Sequence, residues 1–84
     1  MQTNNISEAV LRALFELARD NRRAHIANVA RLVGVSAREV DAALMRLEAT
    51  NLVDATRVRL TFLGLAVAVG LPALKRQRPN VRAA

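Results

Sequence analysis

With 84 residues and no cysteine, the chain has room for one small domain and excludes both a disulfide framework and a thiolate metal site. Its 13 Lys and Arg outnumber 7 acids, and the excess is local: residues 1–56 balance to zero, while Arg57, Arg59, Lys75, Arg76, Arg78 and Arg82 face no acid in 57–84. A basic region beside a neutral body suits a polyanionic partner, most simply nucleic acid, with a solubilising tail as the plainer alternative for 75–84.

Residues 1–4 are expected to lack fixed structure, with Asn5 followed by Glu8, or Ser7 alone, capping a first helix. Val10, Leu14 and Leu17, with Leu11, Phe15 and Ala18, recur at helical spacing and make one wide apolar stripe. Glu8 and Arg12 stand at i, i+4 on the predicted wet side. Asp20-Asn21 ends this helix.

A short second helix is predicted over 25–33, with Ile26, Val29, Ala30 and Val33 on one face. Gly34 supplies the left-handed residue that stops it, and Val35 is a small apolar plug in the turn. Ser36 caps the third helix, and Glu39 three residues on completes a capping box. Val40, Leu44 and Leu47 form its predicted buried face, with Ala43 and Ala37 beside them. Arg38, Ala42, Met45, Arg46 and Ala49 are left pointing away.

After Asn51 the period changes. Leu52-Val53 and Val58-Arg59-Leu60 read as two short strands around a turn at 54–57. Thr61 is placed to cap a last helix over 62–69, which Gly70 and Pro72 end.

The stretches VARLVGVSAREVDAALMRLEATNLV (29–53) and RVRLTFLGLAVA (57–68) resemble the helix-turn-helix, wing end and following helix of bacterial winged helix-turn-helix regulators. The MarR, ArsR and PadR groups are the nearest comparison. The resemblance implies a mainly α fold with a small β-hairpin: a three-helix core, a short two-stranded wing and a C-terminal helix. Residues 1–74 would form this domain and 75–84 a basic, unstructured tail. It also implies that the third helix enters the major groove of double-stranded DNA, with the wing on backbone or minor groove. Ser36, Ala37, Arg38, Asp41, Ala42 and Met45 would then face the groove. Arg57 would sit at the wing tip and Arg59 on its second strand.

The residues themselves leave two functions open. Arg38 can make the bidentate contact to guanine that Arg favours, and Arg46 is angled toward phosphate. Lys75, Arg76 and Arg78 add sequence-independent attraction. Yet Ala42 and Met45 can touch only thymine methyls, and Asp41 repels phosphate unless it accepts from cytosine or orients Arg38. The alternative is a protein-docking module, because exposed Met and small residues suit adaptable protein contacts.

Catalysis is not expected. His25 is the lone His, with no metal-ligand spacing around it, and Glu39 and Asp41 point to different sides of their helix. Gly34, Gly64 and Gly70 form no phosphate-cradling loop, no cofactor is implied, and no ligand pocket is evident.

The last helix is apolar nearly all round. It predicts a homodimer through 62–69, with one of the pairs Leu63/Val67 and Leu65/Val69 facing the core and the other the partner. A sandwich between the first helix and the wing is the competing explanation. MQTNNISEAV lacks the layout of a secretory signal, and FLGLAVAVGLPAL (62–74) is shorter than the ~20 residues of a bilayer span. A cytoplasmic protein, nucleoid-associated if it binds DNA, is expected. Frequent Ala, and Arg in place of Lys, suit a GC-rich bacterial genome.

Overall fold

The computed structural model describes residues 2–74, so the basic segment with Lys75, Arg76, Arg78 and Arg82 lies outside the described residues. The elements are α1 (Gln2–Arg19), α2 (Ile26–Val33), α3 (Ala37–Ala49), β1 (Val53–Asp54), β2 (Arg59–Leu60) and α4 (Phe62–Val69). The architecture is mainly α with one antiparallel hairpin: a three-helix core, a helix-turn-helix formed by α2 and α3, a short wing, and a closing helix. No helix among the described residues is long and apolar enough to cross a membrane.

Three helices stop by one device. Asn21, Gly34 and Asn51 take left-handed φ values of 61°, 85° and 65°. The next residue then donates back to the helix: Arg22 N–H to Leu17 O at 2.8 Å, Val35 to Ala30 at 3.1 Å, Leu52 to Leu47 at 2.9 Å. Each bond satisfies a carbonyl that the helix end would leave open. Gly and Asn occupy these positions because they tolerate this conformation best.

The core is built mainly from predicted residues of α1, α2 and α3, joined by Ala13, Val53 of β1 and Ala68 of α4. Val10, Leu11, Leu14, Leu17, Val29, Val40, Ala43, Leu44, Leu47 and Val53 are buried, and Ile26, Val33 and Val35 pack on them half-buried. Several details differ from the sequence expectation. α1 begins at Gln2, so Asn5 and Ser7 lie inside it rather than at its start. Ala18 is exposed at the end of α1, and Ala37 is exposed at the start of α3. Leu52 belongs to the stop of α3 rather than to β1. Val58 has φ 51°, which takes it out of the ladder and leaves only the pairs Val53↔Leu60 and Asp54↔Arg59.

α4 contradicts the expected facing. Neither Leu63/Val67 nor Leu65/Val69 turns into the core; the buried pair is Gly64 and Ala68. These small residues let α4 lie against α1 and β2, and large side chains on that face would hold it off. A carbonyl sets the approach: a Cβ built on Gly64 would lie 1.8 Å from Leu52 O. Thr61 anchors the same junction, its N–H donating to Leu52 O at 3.1 Å and its hydroxyl to Asn51 O at 2.6 Å. The hydroxyl also accepts from Gly64 N–H at 3.0 Å, as a helix cap should.

Arg12 does not pair with Glu8. Its Nε donates to Glu16 at 3.0 Å and its Nη1 to Ala68 O at 3.2 Å, and its guanidinium lies 4.6 Å from the Phe15 ring centroid. Glu16, only 5% exposed, also accepts from Leu74 N–H at 3.0 Å. The pair therefore fastens the segment after α4 onto α1. Burial raises the Glu16 pKa, but the Leu74 N–H, the Arg12 hydrogen bond and the charges of Arg12 and Arg19 outweigh it, leaving it below the ordinary 4.5.

A carboxylate with a depressed folded pKa contributes stability above its unfolded value and loses it as pH falls through the folded one. Thermal stability should therefore be level above about pH 5 and decline below the ordinary carboxylate range. Glu16→Gln should melt lower at neutral pH, because Arg12 loses its buried partner, and should lose less on acidification. Melts of both proteins at a series of pH values check this, and parallel curves would remove Glu16 from the account.

Candidate nucleic-acid interface

The turn and cap of the helix-turn-helix set how α3 is presented. Ser36 Oγ accepts from Glu39 N–H at 3.1 Å, and Glu39 Oε1 accepts from Ser36 N–H at 3.0 Å. The Ser36 backbone N–H and then its hydroxyl stabilise the Glu39 carboxylate and hold its pKa below 4.5. The reciprocal pair fixes the first turn of α3 while leaving Ser36, Ala37 and Arg38 in solvent.

One face of α3 is covered by α1 and α2, and the other is bare. Arg38, Asp41, Ala42, Met45, Arg46 and Ala49 are all exposed, Met45 to 62%. Every α3 residue expected to point outward does so. Arg38 and Arg46 form no ion pair among the described residues, so their guanidiniums are available to a partner.

The wing supplies the next cations. Its loop, residues 55–58, is held at both ends: Arg57 N–H donates to Asp54 Oδ1 at 3.3 Å, and Ala55 N–H to Glu48 Oε2 at 3.4 Å. Arg57 lies 3.8 Å from Asp54, a partly exposed and weak pair. Arg59 is exposed on β2 and makes no ion pair among the described residues. The wing thus carries two arginines outward, Arg57 from its loop and Arg59 from its second strand, as the sequence placed them. Lys75, Arg76 and Arg78 of the predicted surface lie outside the described residues.

Two features escaped the sequence reading. Arg22 and Arg23, exposed in the loop after α1, share a cleft with Arg57 and Arg59. Their signal was a basic pair directly after the helix-stopping Asn21, but nothing local ties that loop to residues 35 positions on. The cleft corrects the expectation that no pocket exists. His25 is exposed before the first turn of α2 and makes no side-chain cap bond. Among the described residues no three His, Cys, Asp or Glu converge on a metal position.

No protein-family model, no curated protein and no solved structure matches this chain.

Proposed function

We propose that this chain is a small DNA-binding protein, a transcriptional regulator or accessory factor, that lays α3 in the major groove and the wing against the backbone. The observation that carries this reading is the bare face of α3, with Arg38 and Arg46 unpaired among the described residues, on a helix-turn-helix followed by an arginine-bearing wing. Arg38 is the base-reading candidate, and Arg46, Arg57 and Arg59 suit phosphate. Few side chains on this face can discriminate bases, so affinity rests mainly on charge and specificity on few contacts.

Titration of the full chain into random duplex DNA at two salt concentrations tests the reading. Binding at low salt should fall steeply with added salt, in proportion to the phosphates neutralised. Arg38→Ala should cost about 1–3 kcal/mol on a selected site and relax its sequence preference. Removing 75–84, with four positive charges, should weaken binding to all sequences alike and flatten the salt slope. Absence of binding at low salt overturns the proposal. A protein-docking module on the same face is the second reading, favoured by Met45 standing exposed between Ala42 and Ala49.

We also propose that two copies pair through α4. Leu63 is 53% exposed, Val67 40% and Val69 59%, and none of the three lines the cleft beside the wing. Residues 60–74 contain no charged side chain. A two-fold contact sets like against like, so in a chain of net charge +6 this neutral, apolar face can meet its own copy without repulsion. The pairing would let two α3 helices address half-sites about 34–36 Å apart. Sedimentation should show twice the chain mass, and Val67→Glu, placed outside the core, should give a folded monomer. A monomeric wild type at micromolar concentration removes the dimer.

A further inference from the structure

The cleft noted above lies between the end of α1 with its following loop on one side and the wing with the start of α4 on the other. Its volume is about 740 Å³, within the roughly 300–1,000 Å³ of small-molecule sites. The lining divides by polarity. Ala18 of α1, Leu60 of β2 and Phe62 and Leu65 of α4 provide apolar surface. Arg22, Arg23, Arg57 and Arg59 provide positive charge, and no carboxylate lines the cleft. Of the four arginines, only Arg57 has an ion pair among the described residues.

Val58 completes the wing wall. A β-branched residue rarely holds a left-handed φ, and Val58 stands at 51°. Its side chain packs half-buried on the core, while Arg57 and Arg59 on either side of it stay exposed. The wing therefore presents an apolar contact between two cations.

A phosphodiester backbone would match the arginines but leave the hydrocarbon surface wet. A neutral apolar molecule would cover that surface and leave the guanidiniums without a counter-charge. We infer that the cleft binds a small organic monoanion with an apolar body of about ten carbons. Its carboxylate is held by Arg22 and Arg23, and its hydrocarbon lies over Ala18, Leu60 and Leu65. In a DNA complex Arg57 and Arg59 would face phosphate, so ligand and DNA would compete for them. That consequence rests on the DNA-binding reading. The binding itself does not, and it is measured without DNA.

Calorimetric titration of the full chain with decanoate is the test, with butanoate, 1-naphthoate and decanol as companions. Saturable one-site binding of decanoate is expected, tighter than butanoate because the apolar body contributes, and tighter than decanol by about tenfold because the charge does. Which of decanoate and 1-naphthoate binds tighter tells whether the body is an alkyl chain or a ring. Arg22→Gln with Arg23→Gln should weaken decanoate by about tenfold. Arg31→Gln, exposed on α2 away from the cleft, should leave binding unchanged. Equal affinity for decanoate and decanol, equal affinity for decanoate and butanoate, or an unaffected double variant overturns the inference, as does the absence of saturable binding.

Discussion

Gly64→Ala should destabilise this chain by about 3 kcal/mol, the upper end of the range for overpacking, although alanine is the better helix former. The added methyl would stand 1.8 Å from Leu52 O and 2.8 Å from Leu52 C. A backbone carbonyl has no rotamer to move into, so α4 must back away from the 51–52 turn. That retreat strains both Thr61 bonds to Asn51 and Leu52 and draws Ala68 out from under Arg12. The other glycines provide internal controls. Gly70, whose Cβ would meet only Val67 O at 3.6 Å, should accept alanine at little cost. Gly34 has open space around it but φ 85°, so its substitution should cost about 1–2 kcal/mol through conformation alone. Urea unfolding of the three variants checks the order, and a Gly64→Ala protein as stable as Gly70→Ala would sink the close-approach account.

Leu44→Ala should cost about 2–5 kcal/mol, since it opens a cavity where α3 meets α1 and α2. Leu44 is 1% exposed, and its neighbour Met45 is 62% exposed. Met45→Ala should therefore cost well under 1 kcal/mol, as surface changes do. The two positions differ by one residue and about 100° of helix rotation, so the comparison tests the facing of α3 directly. A larger loss at Met45 in thermal melts would mean that the face offered to a partner is instead buried. If Met45→Ala leaves stability intact but abolishes binding to a protein partner, the docking reading gains over the DNA reading.

The legible parts of the fold were those governed by local rules. Gly34, Asn21 and Asn51 mark helix ends because few residues enter the left-handed region cheaply, and Ser36-x-x-Glu39 marks a helix start because both groups satisfy open N–H donors. The alternation of buried and exposed positions in α3 follows from 3.6 residues per turn acting on a one-sided core. The outward set Arg38, Ala42, Met45, Arg46 and Ala49 was readable for the same reason.

The less legible parts depend on residues far apart in the chain. Arg12 has an acid four residues away on either side, and helix geometry favours neither strongly. Burial beneath the segment after α4, with Ala68 O as acceptor, selects Glu16. On α4 a nearly uniform apolar sequence offers no stripe to orient it, so the small pair Gly64 and Ala68 turned inward because only they permit contact with Leu52 and α1. The cleft, likewise, exists only because the loop after α1 and the wing meet in space.

By itself the sequence determined where the helices stop, which face of α3 is bare and where the excess charge lies, because each depends on a few neighbouring residues. Tertiary structure decided which side of α4 is covered, which acid Arg12 holds and which arginines share a cleft. Those outcomes are settled by the free energy of bringing together segments far apart in the chain, from Arg22 and Arg57 in one cleft to Arg12 on Ala68 O, and periodicity and capping carry no information about that.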